Sequence, residues 1–115
     1  MRAIYYDGRL VAHAQDNCVI LAPQINVLEG DHPLRRFVSA VCVWSCETDT
    51  RNVPVAWDPG AAEVYARALL MPTELFDPLD LKLFDHELAE LFSVPLEQVE
   101  ARREDLLAQQ EASGG

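Results

Sequence analysis

The first third of the chain alternates apolar and polar residues in short runs, a pattern typical of β-strands. Ile4-Tyr5-Tyr6 and Arg9-Leu10-Val11 flank Asp7-Gly8, a pair that favours the positive φ angles of a tight hairpin turn. The apolar run at residues 18–21 predicts a third, buried strand that ends before Pro23. Residues 24–33 predict a loop, because Glu29-Gly30-Asp31 has turn chemistry.

The rest of the chain has helical spacing. Apolar residues at i, i+3, i+4 and i+7 predict a central buried helix over residues 34–46, with Asp31 as its cap. A second helix is predicted over residues 59–71, a single turn at 73–76, and helices at 83–92 and 95–109, with Asp77-Pro78 as a break. We expect one core containing Phe37, Val41, Leu69, Leu70 and Met71. The core-facing positions expected on the other helical faces are Ala61, Val64, Tyr65, Ala68, Leu88, Leu91, Phe92, Leu96, Val99, Arg103 by its stem, Leu106 and Leu107.

These elements predict a single α+β domain over residues 1–108, followed by a flexible tail at 109–115. In this fold a small N-terminal hairpin or three-stranded sheet packs on four helices. The length of 115 residues is enough for a domain that folds without disulfides.

The charge narrows the range of partners. Nine Lys and Arg stand against 19 Asp and Glu, a formal charge of −10. Such a surface repels phosphate backbones and anionic lipids, which argues against direct nucleic-acid or membrane binding and favours protein partners, basic ones above all. No apolar run is long enough for an export signal or a membrane span, so we expect a cytoplasmic protein with reduced cysteines and leave its oligomeric state open.

Two motifs carry a resemblance. Residues 62–72 read A-x-x-Y-A-x-x-L-L-M-P, and Leu88-Ala89-Glu90-Leu91-Phe92-Ser93-Val94-Pro95 is followed by Val99 and Arg102. In order and spacing, the first segment resembles the helix motif A-x-x-F-A-x-x-L-L-M-P of the ImmA/IrrE family of zinc metallopeptidases, and the second resembles that family's closing helix pair. The resemblance covers about residues 34–107. The resemblance implies a zincin-like scaffold for the four helices.

The same resemblance implies that the metal site is lost. The family's active helix reads R-F-x-x-A-H-E-x-x-H, and Arg36, Phe37 and Ala40 match its flank. Two His at i and i+4 hold the zinc and the Glu between them activates water. In the register Val41-Cys42-Val43-Trp44-Ser45, however, Val41, Cys42 and Ser45 occupy these three positions. The third ligand's register falls on Pro59, one residue from Asp58, a rotation of about 100° on a helix. We therefore expect a pseudo-enzyme without metal or other cofactor.

Other catalytic or metal-binding patterns are weak. His86-Glu87-Leu88-Ala89-Glu90 spells H-E-x-x-E, but it lies in a closing helix and is best explained as a solvated helix face. His13 and His32 have no partner at ligand spacing, and Cys42 and Cys46 are expected to be buried as small apolar residues. There is no Gly-x-Ser-x-Gly nucleophile motif and no phosphate-binding loop, so no enzymatic activity is expected.

The interpretation that follows is a regulatory protein that binds other proteins. Intact relatives in the resembled family act on DNA-binding repressors in phages and mobile elements, so the expected partner is a basic DNA-binding regulator. The expected site is a vestigial groove between residues 37–46 and 57–65, at Trp44, Ser45, Trp57 and Tyr65, although the groove could also have collapsed into core. Two alternatives remain: an acidic inhibitor that mimics nucleic acid, and a helix-turn-helix transcription factor using residues 83–107.

Overall fold

The computed structural model describes residues 2–15, 18–50 and 59–113. It is an α+β fold in which strands β1 (Arg2–Tyr6), β2 (Arg9–Gln15) and β3 (Cys18–Leu21) form an antiparallel sheet in the order β1-β2-β3. Within this described part of the chain six helices follow: α1 (Pro23–Asn26), α2 (Pro33–Thr50), α3 (Pro59–Leu70), α4 (Thr73–Asp80), α5 (Asp85–Phe92) and α6 (Leu96–Ser113).

The hairpin prediction is confirmed. Asp7 and Gly8 both have positive φ, 52° and 76°, which is the geometry of the type I′ turn that Asp-Gly favours. The pairing register shifts between Ile4 and Tyr5, so that Ile4 pairs with Ala12 while Tyr5 pairs with Leu10. Such a bulge increases the local twist of the strand pair.

The third strand is present, but the prediction that it is buried is wrong. Cys18 and Ile20 are exposed, Ile20 to 63%, while Val19 and Leu21 pack toward the core. β3 is an edge strand in which exposed and partly buried residues alternate, so every second side chain points to solvent.

Helix α2 begins as its sequence predicts and is capped by a different residue. The carbonyl of His32 accepts a hydrogen bond from the Arg36 amide at 3.0 Å, and His32 Nδ1 accepts one from the Leu34 amide at 3.2 Å. His32, rather than Asp31, therefore satisfies the first amides of the helix. The preceding segment, predicted as a loop, contains the short helix α1, which buries Ile25.

The single turn predicted at residues 73–76 is wrong, because this segment belongs to the longer helix α4. It continues through Asp77-Pro78 to Asp80, with Pro78 inside the helix. Buried Phe76 and partly buried Leu79 anchor this helix on its neighbours, and this packing offsets the hydrogen bond that Pro78 cannot donate. Helix α6 likewise ends at Ser113 rather than at residue 109.

Among the residues that the structure describes, the core consists of two clusters rather than the single one expected. The first contains Phe37, Val41, Ala62 and Ala66 with residues of β1 and β2, and the second contains Met71, Phe76, Leu88, Phe92 and Leu106. Leu70 packs against both clusters.

Several leucines predicted to be buried are not. Leu69 is 50% exposed, and exposed too are Val64, Ala68, Leu91, Leu96 and Leu107. On α3 the buried face is set by Ala62 and Ala66, whose small side chains allow α2 and α3 to approach closely. This choice of face turns Leu69 toward solvent.

Candidate functional site

The metal-ligand register on α2 lies in the first core. Val41 is 5% exposed and Cys42 is 3% exposed, and both belong to the cluster formed with the sheet. Val41 borders a small void of about 10 Å³ that Ile4, Val11 and Val38 also line. The side chain of Ser45, the third position of the register, lies outside the described residues. Both described positions therefore serve apolar packing.

The structure describes the side chains of two of the four residues predicted to line the groove. Trp44 on α2 is half-buried and packs against the first core, and Tyr65 on α3 is half-buried. Helices α2 and α3 pack against each other, so the two elements that would border the groove are neighbours. Trp57 and the Ser45 side chain, the other two predicted site residues, lie outside the described residues.

No cluster of ligating side chains forms elsewhere in the described ranges. There, no three or more His, Cys, Asp or Glu side chains are grouped so as to hold a metal ion. In the H-E-x-x-E string, exposed His86 stacks on Phe84 with ring centroids 6.0 Å apart, and Glu87 accepts a hydrogen bond from the Phe84 amide at 2.9 Å. Glu87 thus caps the start of α5, which is a structural role.

Arg102, which the sequence identified only as part of the second motif, is buried where α6 meets the break between α3 and α4. Arg102 is 2% exposed; its Nε donates to the Met71 carbonyl at 3.0 Å and its Nη2 to the Thr73 hydroxyl at 3.1 Å. Burial lowers the pKa of Arg102, and the nearby Asp105 carboxylate opposes that shift. Arg102 therefore holds α6 against the break between α3 and α4.

A second polar chain connects the sheet, α6 and α3. Arg67 donates to both Asp105 carboxylate oxygens, at 2.7 and 3.1 Å, and to Gln98 Oε1 at 3.0 Å. Buried Gln98 donates to the Tyr6 hydroxyl at 3.2 Å, which in turn donates to Glu97 at 2.6 Å. Burial, and then the hydrogen bond to Glu97, raise the pKa of Tyr6.

Arg36, the Arg of the R-F-x-x-A segment, contacts the C-terminal end of α5. Its Nη1 donates to the Phe92 carbonyl at 2.5 Å and to the Ser93 carbonyl at 3.3 Å. Ser93 has a positive φ of 53° and ends α5. Arg36 and Arg102 of the quoted motifs therefore have a clear structural role, which sequence spacing alone did not reveal.

The outer face of α6 is acidic, which bears on the helix-turn-helix alternative. Ala89 and Val99 are buried and the turn at Ser93 is tight, as that motif requires. However, Arg102 is buried, and Arg103 donates to Asp80 and Asp85 at 2.6 and 2.7 Å. The exposed residues of α6 include Glu97, Glu100 and Glu104. Such a face repels the DNA backbone.

Comparisons of the chain with protein-family models, with curated proteins and with solved structures found no match. Within the described residues, no helix combines the length and the apolar character needed to cross a membrane.

Proposed function

We propose that the chain is a non-catalytic, protein-binding regulatory protein on a degenerate ImmA/IrrE-like, zincin-like scaffold. The proposal rests on one observation. At the first two positions of the metal-ligand register, Val41 and Cys42 are packed into the apolar core. Valine cannot ligate zinc, and Cys42 is 3% exposed among the apolar residues of the first core. The scaffold is therefore left for binding, in the cytoplasm, with no metal or other cofactor.

The proposed partner is a basic DNA-binding regulator, such as those that phages and mobile elements encode. The charge of −10 supports a basic partner, because complementary charge speeds association and selects against acidic proteins. The proposed site is the groove at Trp44, Ser45, Trp57 and Tyr65. Trp and Tyr combine a large apolar surface with a polar group, and they are enriched among residues that dominate binding energy.

The experiment begins with capture of partners from the native host and continues with binding of the purified, identified regulator. Trp57→Ala is expected to weaken that binding by more than about 2 kcal/mol. Tyr5→Ala, which removes an exposed aromatic side chain from the sheet, is the matched control and should leave affinity unchanged. Thermal unfolding checks that both variants fold. Unchanged affinity in a folded Trp57→Ala protein would contradict the proposed site, and zinc-dependent cleavage of the partner would contradict the proposed function.

A second candidate, an acidic inhibitor that mimics nucleic acid, is favoured by one observation. Glu97, Glu100 and Glu104 are exposed on α6, and their spacing of three and four residues places them along one helix face. A mimic would lose its partner steeply as salt rises, whereas a groove binder would lose it less. Loss of the partner on Glu97→Lys with Glu100→Lys, together with full binding by Trp57→Ala, would favour the mimic.

A further inference from the structure

A groove runs between α4 and the C-terminal half of α6, away from the metal-ligand register. On α4 it is lined by Phe76, Asp77, Asp80 and, at the helix end, Leu81. On α6 the lining residues follow at i, i+3, i+4 and i+7, the spacing of one helix face: Arg103, Leu106, Leu107 and Gln110. The groove encloses about 310 Å³, at the lower end of the range for small-molecule pockets.

The groove has a buried floor and exposed apolar walls. Phe76 and Leu106 form the floor and belong to the second core cluster. Leu81 and Leu107 form the walls, and they are 89% and 53% exposed. Each wall leucine therefore leaves apolar surface in water directly beside a concave apolar floor, so a partner with a large apolar side chain would remove that surface from water.

The charges around the groove favour a positively charged partner. Asp77 is exposed, and the positive charge of Arg103 is balanced by its contacts with Asp80 and Asp85. Neither α4 nor α6 has a basic residue in its last turn, but Lys82 lies two residues beyond the end of α4, so the partial negative charge at the C-terminus of α6 is the less compensated of the two. Leu81 follows the last residue of α4, and Gln110 lies in the last turn of α6, so both ends lie at the groove.

We propose that this groove binds a basic amphipathic helix of a partner protein, with an apolar side chain inserted between Leu81 and Leu107 and Lys or Arg side chains beside Asp77 and the C-terminal end of α6. Amphipathic helices bind apolar grooves through anchors at i, i+3, i+4 and i+7. A second copy of this chain is a poor occupant, because the copies carry ten negative charges each and repel one another. The groove shares no lining residue with the site at Trp44 and Tyr65, so its test and that of the proposed function stand or fall separately.

The test uses a defined probe, a fluorescent peptide of about 15 residues built of Leu and Lys with the leucines on one helical face. One comparison peptide has Glu in place of every Lys, and another has the same composition with the leucines scattered around the helix. Binding to the full chain is measured by fluorescence anisotropy. Saturable binding of the basic amphipathic peptide is expected, with binding at least about tenfold weaker for both comparison peptides.

Variants locate the site. Leu81→Ser with Leu107→Ser is expected to weaken peptide binding at least about tenfold, because it removes both walls. The control is Leu69→Ser with Leu91→Ser, two leucines outside the groove that are 50% and 57% exposed, and it should leave the affinity within about twofold. All these positions are exposed, so each variant should fold, and thermal unfolding verifies this.

Three outcomes would overturn the proposal. The first is equal binding by the groove variant and the control variant, or by the scattered peptide, which would reduce the interaction to nonspecific charge attraction. The second is a set of peptide-induced NMR shifts centred away from residues 76–81 and 103–110. The third is a dimer in sedimentation equilibrium that the groove variant converts to monomer, which would assign the groove to a second copy of the chain.

Discussion

The two core clusters differ in what they leave at the surface. The first cluster, between the sheet, α2 and α3, contains several alanines, among them Ala12, Ala40, Ala62 and Ala66. Small side chains let helices and strands approach closely, and the metal-ligand register at Val41 is filled by that packing. The second cluster is built mainly from large side chains of α4, α5 and α6, and it borders an open groove with exposed leucines. Val41 and Cys42 are thus sealed in the first cluster, while the second cluster leaves Leu81 and Leu107 exposed beside a groove.

Polar contacts join the two regions. Arg36 connects α2 to the turn between α5 and α6, and Arg67 connects α3 to Asp105 on α6. Arg102 connects α6 to the end of α3. The partly buried Arg67–Asp105 pair is bidentate, a geometry that adds specificity as well as energy. We therefore expect the clusters to unfold together.

The largest loss of stability is expected from a substitution that disrupts the first cluster. Phe37 is fully buried and its ring contacts Tyr6 edge-on at a centroid distance of 5.5 Å. Phe37→Ala should lower the free energy of unfolding by about 3–5 kcal/mol, because it removes a large apolar contact and leaves a cavity. Phe84→Ala, at a mostly exposed position, should change it by no more than about 0.5 kcal/mol. Urea denaturation measures both, and equal effects would contradict the placement of Phe37 in the core.

The junction of the two clusters is tested at Arg102. Arg102→Met keeps the length and apolar stem of the side chain but leaves the buried Met71 carbonyl without its donor. The expected loss is about 1–3 kcal/mol of unfolding free energy. Arg103→Met, which breaks more exposed ion pairs with Asp80 and Asp85, should cost no more than about 1 kcal/mol. A larger loss for Arg103→Met in urea denaturation would move the main polar junction to α4 and α5.

A smaller effect is expected at high pH. The raised pKa of Tyr6 means that the folded protein keeps the phenol proton at a pH where the unfolded chain releases it. The stability that this proton contributes is fully present below about pH 10, the ordinary pKa of tyrosine, and is lost as pH rises above it. Tyr6→Phe should therefore show a weaker decline in melting temperature above about pH 10 than the unsubstituted protein. The same decline in both proteins would show that Tyr6 does not contribute.

No effect is expected with duplex DNA. Gel shifts at low salt favour any phosphate binding, and micromolar protein should still leave random duplex unshifted. Arg103→Ala is the informative variant, because Arg102 is buried and its loss would disturb packing rather than a DNA contact. Retardation of the duplex that Arg103→Ala abolishes would favour the helix-turn-helix alternative.

Local sequence signals predicted much of the backbone and less of the packing. Asp7-Gly8 specified the hairpin turn, because few other residue pairs adopt two positive φ angles in succession. Pro78, in contrast, suggested a break that burial of Phe76 and the rest of the helix face overrides. Local propensity is only a weak prior where tertiary contacts are strong.

For the candidate site, too, the sequence indicated which residues to examine but not what they contact. The motif spacing drew attention to Arg36 and Arg102, but their partners are backbone carbonyls up to 57 residues away, which no local pattern encodes. The groove between α4 and α6 could not be predicted, because the sequence placed Leu107 in the core and a break at Pro78. Which face of an apolar helix is buried depends on its neighbours, and at α3 two alanines outweighed Leu69.

The most direct test of the account is the zinc content of untagged protein, purified without metal supplements, equilibrated with zinc and dialysed. A small fraction of one zinc per chain is expected, because Val41 and Cys42 are packed into the core rather than arranged as ligands. About one tightly held zinc per chain by elemental analysis would contradict the central claim that this register has lost its metal.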